Sequence, residues 1–342
     1  MPKIKSAIPW GEALAHAVRD PSELLKILKL DGDAGRLAAA HRAATLFSLR
    51  VPRGYIARMR PGDPQDPLLR QVLPLDAEFK SPPDFVADPV GDLQAMVSPG
   101  LLQKYAGRAL LVVTEACAVH CRYCFRREFP YDAANPKKDR WAAAMDFIAR
   151  DTSLHELILS GGDPLTLTNE ALDDLLERVG KIRHIKRLRI HSRLPVVLPE
   201  RIDDGLLKVL GSAGKRIVHV IHANHAQEID DSVRTAIAKL RNLGEIVLNQ
   251  AVLLKGVNDT LAAQIELAEA LVEAGVVPYY LHMLDPVKGA HHFEVNEEYA
   301  VRLATELQHN LPGYMVPRLV REIPGRPSKT LLPIQPRHHR EH

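Results

Sequence analysis

A chain of 342 residues that is 46% hydrophobic and 25% charged has the balance of a folded protein and excludes a disordered or low-complexity one. Lys and Arg number 45 against 42 Asp and Glu, a net charge of +3, and aromatic residues make up 5%. Neither figure supplies the electrostatic footprint or the stacking platforms of a nucleic-acid binder, although a local basic run, KIRHIKRLR, is present. The N-terminus, MPKIKSAIPWGEALAHAVRD, lacks the apolar core of a signal peptide, and no apolar run reaches the length of a membrane span, so the expectation is a soluble cytoplasmic protein with no membrane partner.

In chain order, residues 11–50 carry helical patterns (EALAHAVRD, PSELLKILKL, RLAAAHRAATLF) separated by Pro and Asp-Gly breaks. Val51 to Gly100 is rich in proline and reads as an extended connector wrapped on a larger body, so residues 1–100 form a helical and wrapping region. From about residue 108 short aliphatic runs alternate with amphipathic stretches. The predicted strands are ALLVVT, HELILS, KRLRIH, RIVHVIH, EIVLNQAVLL and VPYYLHML, with helices around 137–150, 169–180, 200–213, 230–243 and 260–274. This alternation predicts an α/β fold of right-handed βαβ units over residues 101–310. Six units point to a partial (β/α)6 barrel, although a doubly wound sheet gives a similar string.

Polar groups stand at the end of every predicted strand: Glu115 and the cysteines, then Gly161, Gly162 and Asp163, then Ser192 and Arg193, Asn224 and His225, Asn249 and Gln250, and Asp285. Parallel α/β folds bind ligands at the carboxyl ends of their strands, so these groups are expected on one face.

All three cysteines, Cys117, Cys121 and Cys124, fall in one stretch, CAVHCRYC, an odd count that excludes a secreted disulfide framework. Three readings compete. Spacing of i, i+4 and i+7 fits one buried helix face, where free cysteine packs as a small hydrophobe. A zinc site could recruit His120 or a distant histidine, although the usual paired C-x-x-C layout is missing. Three thiolates also suit an iron–sulfur cluster, which with one cysteine too few keeps an iron open for another ligand.

The C-x3-C-x2-C loop after the first core strand resembles the signature of the radical S-adenosylmethionine (SAM) superfamily. That resemblance implies a [4Fe–4S] cluster on Cys117, Cys121 and Cys124 whose open iron binds SAM. SGGDPL is similar to the family's glycine-rich turn and implies that Gly161, Gly162 and Asp163 meet SAM, with Arg193 in the same region. The strings CRYCFRREFPY, SGGDPLTL, HSRLPVVLPERI, NQAVLLKGVND and PYYLHMLDPVKGAHHF together resemble the lysine 2,3-aminomutase family, from about Leu46 to Leu332. Length and CRYCFRREFPY most resemble the branch that makes (R)-β-lysine for elongation factor P, whereas longer lysine-degrading members carry a C-terminal extension that is absent after His342.

The resemblance implies migration of the α-amino group of L-lysine to the β-carbon with pyridoxal phosphate (PLP) as carrier. Lys329, within residues 311–342, stands where the family has its PLP lysine, so this segment is expected to be a PLP-binding tail. Lys104 and Arg108 match residues that hold the PLP phosphate, and Arg126 matches the arginine that pairs with the substrate carboxylate. Asp285 and Glu322 match the two carboxylates that grip the ε-ammonium, with Glu322 standing where lysine-degrading enzymes have Asp. PGRPSK replaces a nearly all-glycine stretch before the PLP lysine. Asn249, Gln250 and Asp259 also match the family. Implied partners are an electron donor such as flavodoxin or ferredoxin and, functionally, elongation factor P with its β-lysine ligase. The alternatives are a lysine 2,3-aminomutase of general metabolism and, from another class, a non-catalytic zinc-stabilised binding module.

Overall fold

A computed structural model describes residues 8–132 and 141–333. Ten strands form one open sheet in sequential order: β1 (Met96–Ser98), β2 (Leu101–Tyr105), β3 (Arg108–Thr114), β4 (Glu156–Gly161), β5 (Arg187–Ser192), β6 (Arg216–Ile221), β7 (Ile246–Val252), β8 (Val277–His282), β9 (Arg318–Arg321) and β10 (Thr330–Leu331). From β3 to β9 every neighbouring pair is parallel, while β1 and β2 at one end and β10 at the other pair antiparallel. The six expected strands are β3–β8. The expected partial barrel is therefore present, extended by a seventh parallel strand.

That seventh unit was not anticipated. Helix Glu297–Asn310, capped by the Asn296 side chain, buries Ala300, Leu303, Ala304 and Leu307 and returns the chain to β9 beside β8. RLVR is too short and too charged to announce a strand, and parallel pairing with β8 is what orders it.

The other helices follow their sequence patterns, with edges set by side-chain caps. Helix Asn169–Gly180 opens on Thr168 and buries Leu172, Leu175, Leu176 and Val179, one stripe at helical spacing. Asp203, Asp230 and Thr260 cap helices Asp204–Gly211, Asp231–Asn242 and Leu261–Glu273 in the same way. The helix expected at 137–150 is observed as Ala142–Arg150, and residues 137–140 lie outside the described residues. Truncating a stripe residue such as Leu175 to alanine costs about 2–5 kcal/mol.

The N-terminal helices share this core. Leu24, Leu25, Tyr55, Leu68 and Leu69 are fully buried in the cluster that contains Leu111, Leu159 and Ile190 of the sheet. The proline-rich stretch is held by short turns: Asp66 caps a helical turn starting at Pro67, and Val86 bridges to Val287 beyond β8. Gln71, Glu78 and Asp92 of this stretch are thereby brought to the mouth of the sheet.

Candidate active site

The carboxyl ends of β3–β9 open into a cavity of about 530 Å³. It is lined by the residues given a cofactor or substrate role above, Cys117, Cys121, Cys124, Arg126, Gly161, Gly162, Asp163, Arg193, Lys104, Arg108, Asp285, Glu322 and Lys329, whereas Glu115, Asn224, His225 and Asn249 of the strand-end polar groups do not line it.

The cysteines lie in irregular loop after β3, so the helix-face reading fails. All three thiols are free. Among the described residues no three His, Cys, Asp or Glu side chains close on a common point as a single ion requires. A cluster that offers each thiolate its own iron needs no such point, and an all-sulfur donor set suits it. His120, the candidate fourth zinc ligand, gives its Nδ1 to the Ser48 carbonyl at 2.8 Å and stacks on Phe47. Burial pushes the Cys117 thiol well up, and burial with the neighbouring Cys121 pushes Cys124 to about 11. Thiols placed this way ionise when a cationic metal centre reverses the local electrostatics.

Two buried ion networks brace the loop, and sequence reading found little of either. Arg122 pairs with Glu78 through Nε (2.8 Å) and Nη2 (2.5 Å), and Arg127 reaches the same carboxylate at 2.9 Å. Arg193 donates from Nη1 to the Cys121 sulfur at 2.6 Å, and from Nη2 to Gln71 (2.7 Å), Glu228 (3.1 Å) and Tyr55 (3.2 Å). Burial disfavours a charged Glu228, but Arg193 and the surrounding donors outweigh it and hold its carboxyl below the ordinary value. The arginines sit in or beside recognisable motifs; their partners lie far away in sequence with no local signal.

Glycines 161 and 162 are required by a close backbone approach. A Cβ on Gly161, at φ +124°, would stand 2.6 Å from the Thr114 carbonyl oxygen, and one on Gly162 would stand 2.4 Å from that of Ala116. Their bare faces let the end of β4 lie against the exit of β3, tied by Gly162 N–H to Thr114 O and Asp163 N–H to Ala116 O. The Asp163 carboxylate accepts from Ser192 Oγ and from the backbone of Leu165, Arg193 and Leu194. Burial nevertheless pushes its pKa up to about 6. Asp163 thus fixes the β5 exit that carries Arg193. Asn249 bridges β6 and β7 through both amide atoms, and Asp259 closes a turn on Gly256 N–H; of the three lesser family matches only Gln250 lines the cavity.

Around Lys329, Glu322 receives Lys329 Nζ at 2.6 Å and the Tyr105 hydroxyl at 2.5 Å, with Lys104 Nζ 3.8 Å away. Burial raises the Glu322 carboxyl, but Lys329 overcomes this and the net direction is down. Asp285 differs: burial drives it up to about 7 even though Lys329 opposes the shift. Arg126 is buried, with Nε on Asp92 at 2.7 Å and Nη1 on Ser160 Oγ at 3.0 Å. Arg108 lies over the Tyr105 ring and has no ion pair among the described residues. His191, His222 and His282 line the cavity and are held neutral by burial, and Nε2 of His191 and of His282 has no hydrogen-bond partner among the described residues. An anionic, polar, aromatic cofactor fits these groups: cations for a phosphate, an amine for an aldehyde, and orphaned ring nitrogens for its polar edge.

The model for the Radical SAM superfamily matches residues 111–261. The chain is 49% identical over 326 residues to the L-lysine 2,3-aminomutase of Escherichia coli, covering 95% of each chain. It is 44% identical to that of Haemophilus influenzae over 96% of this chain and 97% of the relative, and 34% identical to that of Clostridium subterminale over 96% of this chain and 78% of the relative. With the cysteine loop, the glycine turn and the open parallel sheet in place, the chain belongs to the lysine 2,3-aminomutase family of radical SAM enzymes.

Proposed function

We infer that the protein converts free L-lysine to (R)-β-lysine, which serves the modification of elongation factor P. The observation that carries the substrate assignment is one cavity lined both by a carboxylate reader, Arg126, two residues past Cys124, and by two carboxyl groups, Asp285 and Glu322, around Lys329. A ligand with a carboxylate at one end and an ammonium at the other satisfies both, and a neutral side chain brings Asp285 no cation to offset the burial that opposes its ionisation.

The residues suit the three cofactors of the family. Cys117, Cys121 and Cys124 would hold the [4Fe–4S] cluster, and the Gly161–Asp163 turn with Arg193 would border SAM. Lys329 would anchor PLP, with Lys104 and Arg108 on its phosphate. When bound, the cluster and SAM supply a hydrogen-abstracting radical and PLP supplies an amine carrier. The chain's own part is positioning: Arg126 reads the carboxylate, Asp285 and Glu322 measure chain length, and the enclosing sheet keeps water from the reacting atoms. A flavodoxin or ferredoxin would deliver the electron. No helix among the described residues is long and apolar enough to cross a membrane, in keeping with a cytoplasmic enzyme acting on a free amino acid.

The elongation factor P branch rests on the CRYCFRREFPY resemblance. Chiral analysis of the product made anaerobically from lysine tests it. The R enantiomer, accepted by the β-lysine ligase of elongation factor P, supports the assignment; the S enantiomer returns the protein to general lysine metabolism. Borohydride reduction followed by peptide mapping should place the PLP adduct on Lys329, and an adduct elsewhere moves the anchor.

A further inference from the structure

Asp92 lies in the proline-rich stretch, outside every motif considered so far, yet its side chain is only 2% exposed and sits on the cavity wall. Its two oxygens do different things: Oδ1 meets Lys104 Nζ at 2.6 Å, and Oδ2 accepts from Arg126 Nε at 2.7 Å. The loop that carries it is built to hold it still. The Asp88 carboxylate accepts from the backbone N–H groups of Asp92 and Leu93, both at 2.9 Å, and the Val90 carbonyl accepts from Lys104 Nζ at 2.7 Å.

Asp92 also links a longer series. Arg126, Asp92, Lys104, Glu322 and Lys329 alternate in sign from the cysteine loop to the last strand pair, with neighbouring contacts of 2.7, 2.6, 3.8 and 2.6 Å. Arg126 spends its Nε edge on Asp92 and Nη1 on Ser160, and its Nη2 makes no hydrogen bond among the described residues. The guanidinium plane is thereby fixed, with a donor left over for a ligand.

We propose that Asp92 is a positioning residue: by binding Arg126 and Lys104 together it sets the spacing between the substrate-carboxylate subsite and the cofactor-phosphate subsite. This rests on the roles assigned above to Arg126 and Lys104. It carries a consequence that a merely structural role lacks. The Asp92 carboxylate orients Arg126, so its loss weakens lysine binding. The same carboxylate neutralises Lys104, so its loss leaves that ammonium free for a phosphate dianion.

The test is Asp92→Asn in the iron-loaded protein, with PLP affinity measured by absorbance titration and the KM for lysine measured separately. The expected result is a lysine KM raised about tenfold or more with a PLP dissociation constant lowered several-fold. Asp92→Glu, which keeps the charge, should return both toward wild type. Lys104→Gln should weaken PLP binding, and the Asp92→Asn, Lys104→Gln double variant should bind PLP no better than Lys104→Gln. Unchanged constants in Asp92→Asn, or losses of both affinities together, overturn the inference. If Asp92→Asn does not fold, failure of Asp92→Glu to retain the wild-type KM overturns it, and retention supports it. Wild-type PLP affinity in Lys104→Gln would instead remove the phosphate assignment itself.

Discussion

Asp285 gives the sharpest quantitative handle on substrate recognition. Its carboxyl is raised from 3.8 to about 7, chiefly by burial, with Lys329 opposing and Glu322 adding to the shift. A displacement of roughly three units corresponds to about 4 kcal/mol of penalty against the ionised form. The raised pKa means that ionisation burdens the folded state: the stability this site contributes is complete below about pH 4 and is lost as the pH rises through 7. An ammonium docked beside Asp285 reverses the penalty by favouring the carboxylate, so lysine binding below pH 7 must release a proton. Affinity should then fall tenfold for each pH unit below the pKa and level off above it, making lysine binding about tenfold weaker at pH 6 than at pH 8. The assay is the KM for lysine across pH 6–8.5 in wild type and Asp285→Asn, because the titration of the substrate's own amino group is common to both and cancels in their ratio. Asp285→Asn should bind more weakly throughout, by about 2–5 kcal/mol at pH 8, and the ratio to wild type should shrink toward pH 6. A pH-independent ratio would refute the placement of the ε-ammonium at Asp285.

Other substitutions probe the frame. Glu78→Gln leaves Arg122 and Arg127 buried without their shared anion and should lower the unfolding free energy by about 3–5 kcal/mol, read by chemical denaturation, with loss of iron in the same preparation. Gly162→Ala forces a Cβ into the Ala116 carbonyl and should cost about 1–3 kcal/mol with reduced iron content, whereas Gly313→Ala, which meets nothing within 4 Å, should behave as wild type. Arg193→Lys replaces a fork that spans Cys121 and the Gln71, Glu228 and Tyr55 group with a single point charge; iron and SAM retention should both fall, and full retention of both would show that the fork is dispensable.

The regular part of the fold was legible because its periodicity is local. The Leu172, Leu175, Leu176 and Val179 stripe and the aliphatic runs of β3–β8 announce themselves within a dozen residues. Strand β9 and the β1–β2 hairpin did not, because RLVR and MVS carry too few apolar positions and depend on neighbours for their order. The same split runs through the site. Cys117, Cys121, Cys124 and the 161–163 turn carry spacing signals, and Lys329, Asp285 and Glu322 were reached through family resemblance. Asp92, Glu78, Gln71 and Glu228 were missed, since each matters through cations elsewhere in the chain: Lys104 and Arg126 for Asp92, Arg122 and Arg127 for Glu78, and Arg193 for Gln71 and Glu228. A buried carboxylate in a proline-rich loop looks like a solvated turn residue until its partner is placed beside it.

The central claim, intramolecular movement of nitrogen from the α- to the β-carbon of lysine within this cavity, is tested most directly by isotope transfer. Iron- and PLP-loaded protein is incubated anaerobically with SAM, a reductant and L-lysine labelled with nitrogen-15 at the α-amino group. Retention of the label at the β-position of (R)-β-lysine, with none in free ammonia, is the predicted result. Cleavage of SAM without β-lysine, or β-lysine whose label has exchanged with ammonia, would contradict it.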